Sequence, residues 1–82
     1  MHEVSLVMDL LDRVKEIAKR EAHVRVVAIE VCIGEKSGVD SEAFQFAYLA
    51  AIHDTELAKT KLHIRQTTGF EFQFESLEVQ DV

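Results

Sequence analysis

The segment that most constrains the fold is VRVVAIEVCIG, residues 24–34, because it is rich in β-branched residues and is too short and dense for another surface helix. In an extended strand, one face would carry four apolar side chains: Val27, Ile29, Val31 and Ile33. The opposite face is also mostly apolar, which is typical of a strand in the interior of a sheet. We therefore predict an inner strand that ends at Gly34.

An amphipathic helix is predicted before this strand, from Val4 to about Ala22, because apolar residues recur at steps of three and four. Either Ser5 or Glu3 suits its first turn, as a cap or as a partner of the helix dipole. The predicted apolar face consists of Val7, Leu10, Leu11, Val14, Ile17 and Ala18.

A second helix is predicted over about Ser41 to His53, after a turn that contains Gly38, with Asp40 or Ser41 as its N-cap. This helix is apolar nearly all round its circumference. Such a helix is either enclosed in the core or buried in a contact between subunits. Because a domain of this size cannot easily cover both faces, the pattern indicates self-association, and a homodimer is one expected assembly.

The segment KLHIRQTTGFEFQFESLEV alternates between apolar and polar residues on both sides of TTG, which predicts two strands joined as a hairpin. Phe70, Phe72 and Phe74 share one face, and a bulge near Ser76 would return Leu77 to it. The predicted fold class is α+β: two helices packed on a small three-stranded sheet, in the order helix, strand, helix, strand, strand. We expect residues 1–82 to form one domain.

Composition excludes several classes of function. The net charge of −6 disfavours binding to nucleic acid. The chain has one cysteine, Cys32, and lacks both a membrane-length apolar run and a secretory leader, so we expect a cytoplasmic protein without membrane attachment. Cys32 is interpreted as a buried structural residue. No catalytic pair or phosphate-binding loop is apparent, which predicts that the protein is not an enzyme.

The start of the chain, MHE, is the one candidate metal site. A free amine on Met1, the amide and imidazole Nδ1 of His2, and the amide of Glu3 can form a planar set of nitrogens. Such a field suits nickel(II) or copper(II), whereas zinc prefers a tetrahedron. A histidine at position 2 is common, however, and by itself is weak support for metal binding.

Four segments of the sequence occur in the same order as in a known protein family, and they strengthen the metal-site hypothesis. MHEVSL with its amphipathic helix, VVAIEVCIGEKSGVDSEAFQFAY, KLHI and ESLEV together resemble the HypA/HybF family of nickel chaperones for [NiFe]-hydrogenase maturation. The resemblance implies that His2 is the essential nickel(II) ligand, supported by the Met1 amine and the backbone of Glu3. The Glu3 carboxylate would then be left to favour partner docking. The implied partners are a HypB-type GTPase and the hydrogenase large-subunit precursor, and in some organisms the urease maturation proteins.

One departure from the family is large. Its members carry a zinc-ribbon module with two CxxC pairs, expected here between about residues 66 and 70, where this chain has only TTG. We therefore expect no structural zinc, and zinc-linked functions are in doubt. The alternative hypothesis is a metal-independent interaction module that uses the apolar second helix as its contact surface.

Overall fold

The computed structural model describes residues 3–82 and confirms the predicted α+β class and element order. Within this range two helices pack on a mixed three-stranded sheet. The elements are α1 (Glu3–Arg20), β1 (Val24–Gly34), α2 (Ser41–Ile52), β2 (Lys61–Thr67) and β3 (Phe72–Asp81). Neither helix in this range is long and apolar enough to cross a bilayer.

Helix α1 buries the apolar face that its periodicity predicts. Val7, Leu10, Leu11 and Val14 are almost fully buried, at intervals of three, one and three residues. They join the β1 side chains Ile29, Val31 and Ile33 and the α2 side chains Phe44, Tyr48 and Ile52 in one hydrophobic cluster. The core thus lies between the helices and one face of the sheet.

Strand β1 is the central strand, as its two apolar faces predict, with β2 on one side and β3 on the other. It pairs in parallel with β2, with Val31 opposite Ile64, and antiparallel with β3, with Val31 opposite Phe74. The β1–α2–β2 segment is therefore a crossover unit with parallel strands.

The predicted hairpin between the last two strands is wrong, because β2 and β3 are not neighbours. Both edges of β1 need hydrogen-bonding partners, and β2 pairs with one edge while β3 pairs with the other. The connecting segment crosses the end of β1 instead. The Gly34 N–H donates to the Glu71 carbonyl at 2.6 Å, and the Lys36 N–H donates to the Gly69 carbonyl at 2.8 Å.

The predicted bulge near Ser76 is confirmed. The β1–β3 pairing changes from Val31 with Phe74 to Glu30 with Ser76, so that Glu75 is the extra residue. Leu77 thereby returns to the face of Phe72 and Phe74, and all three pack against the core.

Two residues that the sequence places in the core, Val27 and Phe70, are not part of it. A second register shift makes Val27 the extra residue of β1, so that Val26 joins the buried cluster in its place. Phe70 is 76% exposed because it belongs to the segment that crosses the end of β1, not to β3.

Helix α2 buries one face and exposes the other. Phe44, Tyr48 and Ile52, spaced four residues apart, are buried, whereas Phe46 is 76% and Leu49 is 55% exposed. The Tyr48 hydroxyl donates to the buried Thr60 carbonyl at 2.8 Å, which ties α2 to the start of β2. The prediction of an apolar surface on α2 is thus confirmed.

Candidate metal centre

The candidate chelate consists of Met1, His2 and Glu3, and the first two lie outside the described residues. Glu3 is the first residue of α1. The amide groups in the first turn of a helix have no carbonyl acceptor within the helix. The Glu3 amide can therefore act as a metal ligand without the loss of a helical hydrogen bond.

The Glu3 side chain already has a partner in the fold. The backbone N–H of Asp40 donates to Glu3 Oε2 at 3.1 Å, although the two residues are 37 positions apart in the chain. This hydrogen bond, and a second one from the Glu3 N–H to its own carboxylate, hold the pKa of the Glu3 carboxyl below its usual value. The first turn of α1 is thus attached to the segment that leads into α2.

Asp40 is the N-cap of α2. Its Oδ1 accepts hydrogen bonds from the N–H groups of Glu42 at 2.9 Å and Ala43 at 3.1 Å, and its carbonyl accepts from the N–H of Phe44 at 2.9 Å. The sequence offers Asp40 and Ser41 as alternatives for this cap, and the structure selects Asp40.

The sequence gives no indication that Asp40 lies next to Glu3, because the contact depends on how α1 and α2 pack. The two carboxylates, together with Glu42, make this end of the domain electronegative. A negative environment offsets the unfavourable effect of the α1 dipole on a cation at the helix N-terminus.

The remaining histidines and Cys32 are dispersed over the molecule. His23 has a left-handed backbone with φ of 69° at the turn after α1, and His53 ends α2, where its Nε2 lies 3.4 Å from Asp54 Oδ2. His63 is exposed on β2, and Cys32 is buried in β1. In residues 3–82 no three His, Cys, Asp or Glu side chains are grouped closely enough to hold a metal.

An apolar groove runs between α1 and α2 and begins at Glu3. It has a volume of about 720 Å³. Its exposed apolar residues include Val4 and Met8 from α1 and Phe46 from α2, with Ala47 and Ala50 beside them. We call these five residues the α1–α2 groove. An apolar surface of this kind is typical of a protein contact.

A family model described as "Hydrogenase/urease nickel incorporation, metallochaperone, hypA" matches residues 1–74. Several curated relatives carry the name hydrogenase maturation factor HypA. The protein from Pelodictyon phaeoclathratiforme is 35% identical over 84% of this chain and 59% of its own length. The protein from Chlorobaculum parvum is 38% identical over 80% of this chain and 58% of its own length.

The solution structure of the Ni metallochaperone HypA from Helicobacter pylori superposes with a TM-score of 0.72 at 28% identity, and the match covers 80% of this chain and 57% of that one. The chain thus spans about three fifths of the length of the relatives that it matches. The family match over residues 1–74 extends from the candidate chelate into β3, and on this basis the chain belongs to the HypA family of nickel metallochaperones.

Proposed function

We propose that this chain captures nickel(II) as cargo at Met1, His2 and Glu3 and delivers it for hydrogenase maturation. The Met1 amine, the imidazole Nδ1 of His2 and the backbone amides of His2 and Glu3 supply the donor nitrogens. Such a nitrogen set, once deprotonated, favours nickel(II) or copper(II) over zinc(II). Family membership supports nickel as the physiological cargo.

The observation that carries the proposal is the position of Glu3 at the first residue of α1. Its amide has no acceptor within the helix other than its own carboxylate, and that carboxylate fixes the residue to the start of α2. An anchored amide reduces the conformational entropy that the chain loses when it closes a chelate ring.

The proposed partners are a HypB-type GTPase and the hydrogenase large-subunit precursor, or the urease maturation proteins. The α1–α2 groove supports a docking role because it is apolar, exposed and contiguous with Glu3. A partner that covers this groove would lie directly beside the bound nickel and could receive it.

The alternative function is a metal-independent interaction module that uses α2. The exposed Phe46 and Leu49 favour it, because they lie one helical turn apart on the open face of α2, and a contiguous apolar patch is typical of an interaction site. In this alternative the chain would bind its partner, or a second copy of itself, whether or not residues 1–3 were intact.

Calorimetric nickel titration of the untagged protein separates the two functions. We expect about one nickel ion per chain, no binding by His2→Ala, and full binding by the control His63→Ala, whose histidine is exposed on β2. Residues added before Met1 should also abolish binding, because the amine becomes an amide. Acidification should release the metal, because its ligands must lose protons to bind. Equal nickel uptake by His2→Ala would contradict the proposal.

A further inference from the structure

Strand β3 lies at one edge of the sheet, since the strand order is β2, β1, β3. Within residues 3–82 no further strand pairs with its outer side. An exposed edge presents backbone N–H and C=O groups that can pair with another extended chain. The direction of these groups follows from the way β3 pairs with β1.

The backbone groups of Phe72 and Phe74 point away from β1. The Gly34 N–H donates to the Glu71 carbonyl at 2.6 Å, so these two residues extend the antiparallel ladder by one hydrogen-bonded pair. Bonded and non-bonded pairs alternate along such a ladder, which makes Gln73 the next residue of β3 that is bonded to β1. Phe72 and Phe74 therefore each offer one donor and one acceptor at the open edge.

A groove beside this edge can receive the side chains of an added strand. It has a volume of about 270 Å³ and lies between α1 and β3. Its apolar lining includes Leu6 and Leu10 from α1 and Phe72 and Phe74 from β3. The guanidinium carbon of Arg13 lies 5.5 Å from the centre of the Phe74 ring. An extended peptide that pairs with the two phenylalanines places every second side chain between the helix and the strand.

Acidic residues flank the open edge and favour a basic occupant. Residues 71–81 contain no Lys, Arg or His and four acidic residues: Glu71, Glu75, Glu78 and Asp81. The ion pair with Arg65 neutralises only Glu75. A second copy of the chain is a poor occupant, because a two-fold antiparallel pairing centred on Gln73 places Glu71 of one copy opposite Glu75 of the second, and like charges directly opposite are destabilising.

We propose that residues 71–75, together with the groove beside α1, form a docking site for an extended basic segment of a partner protein. We call this site the β3 edge. The segment pairs antiparallel with Phe72 and Phe74, directs its apolar side chains into the groove and directs its basic side chains towards Glu71 and Glu75. The inference does not depend on nickel, since no residue of the candidate chelate takes part in it.

The test uses the acetylated and amidated pentapeptide Lys-Val-Lys-Val-Lys as the probe. Hydrogen exchange at the backbone amides of Phe72, Gln73 and Phe74 is measured by NMR in the untagged protein as the peptide is added. One control peptide is Glu-Val-Glu-Val-Glu, which keeps the alternation and reverses the charge. The other is the lysine peptide with N-methylated backbone amides, which cannot donate hydrogen bonds to the edge.

We expect exchange at Phe72 and Phe74 to slow about tenfold when about nine tenths of the protein is bound, because only the free protein exchanges. The amide of Gln73 should keep its rate, since it already binds β1. Neither control peptide should slow exchange. Glu71→Gln should weaken binding of the lysine peptide about two- to fivefold, as expected for an exposed ion pair. Glu56→Gln removes the same charge beside a different cleft and should have no effect.

Three results would overturn the proposal. The first is unchanged exchange at both phenylalanines in the presence of millimolar lysine peptide. The second is equal slowing by the glutamate peptide, which would exclude a basic occupant. The third is slowing that increases with protein concentration when no peptide is present, which would assign the β3 edge to a second copy of the chain.

Discussion

The guanidinium of Arg65 on β2 binds the carboxylate of Glu75 on β3 across the central strand, with Nη2 2.6 Å from Oε2 and Nε 3.1 Å from Oε1. Arg65 lies opposite Cys32 in the β1–β2 register, and Cys32 is only 1% exposed. The ion pair thus joins the two edge strands on the face of the sheet that is turned away from the helices. It also raises the pKa of Arg65 and lowers the pKa of Glu75.

The first prediction concerns access to Cys32. Arg65→Ala should increase the rate at which a thiol reagent modifies Cys32, because the side chain that spans β1 beside the thiol is removed. Arg25→Ala is the control, since Arg25 is an exposed cation whose guanidinium contacts Gln80 instead. The measurement is the rate at which Ellman's reagent modifies Cys32 in each variant. Equal rates in both variants would contradict the prediction.

The second prediction concerns the crossing of β1 by the segment between β2 and β3. A Cβ on Gly34 would collide with the Gly69 carbonyl and would lie 2.9 Å from the Glu71 nitrogen. Gly34→Ala should therefore cost about 1–3 kcal/mol of unfolding free energy, because two backbone segments would have to move apart. The measurement is urea denaturation.

The matched control for this prediction is Gly69→Ala. Its Cβ would meet the Glu71 carboxylate, the far end of a flexible side chain, which can turn away at the cost of its hydrogen bond from the Thr67 hydroxyl. The loss of stability should be smaller than for Gly34→Ala. A larger loss in the control would show that the close approach at Gly34 is not limiting.

The third prediction concerns the core. Leu11→Ala should lower the free energy of unfolding by about 2–5 kcal/mol, because Leu11 is 3% exposed and its removal leaves a cavity. Leu49→Ala makes the same chemical change on the open face of α2 and should have little effect on the stability of the isolated chain. Similar losses in both variants would indicate that α2 is covered in solution, for example by a second copy.

The fourth prediction concerns alkaline stability. Burial raises the pKa of Tyr48 from 10.0 to about 12, so the folded state retains the phenolic proton where the unfolded chain loses it. The stability that depends on this group is complete below pH 10 and should fall as the pH rises from about 10 to about 12. Tyr48→Phe should lack this decline, although it also loses the hydrogen bond to the Thr60 carbonyl. Chemical denaturation as a function of pH tests the prediction, and an identical alkaline decline in the variant would refute it.

The fifth prediction separates nickel capture from hydrogenase maturation. The chain has one cysteine and so cannot contain the two CxxC pairs of the zinc module. We expect it to retain nickel binding and contact with the GTPase, yet to restore little hydrogenase activity in cells that lack the full-length family member. Hydrogenase assays with and without added nickel, together with a pull-down of the GTPase, provide the test. Full activity at low nickel would show that the short form is sufficient.

Local patterns predicted the elements well. The periodicity of α1 identified its buried face, the two apolar faces of residues 24–34 identified the central strand, and the change of phase at Ser76 identified a bulge. In each case the relevant interaction repeats over a few residues, so the sequence carries it directly.

The errors arose where the structure depends on distant parts of the chain. TTG favours a turn, but whether β2 pairs with β3 or with β1 depends on which edge of β1 is open. The exchange of Val27 for Val26 follows from a bulge that no turn residue marks. At the candidate site, the chelate of Met1, His2 and Glu3 stays a prediction from the sequence, whereas the contact of Glu3 with Asp40 became visible only through the packing of α1 beside α2.

The crossing of β1 by residues 68–71 determines where the chain can accept an insertion. Because this segment joins strands that lie on opposite sides of β1, it sets no pairing register, and both ladders would survive an insertion in it. The entropic cost of closing a loop rises only slowly with the length of the loop. The segment lies at the end of the sheet where α1 and α2 both begin, so any added residues would emerge on the same side of the domain as Glu3. The fold thus provides an insertion point from which an added module could reach the end of the domain that carries the proposed nickel site.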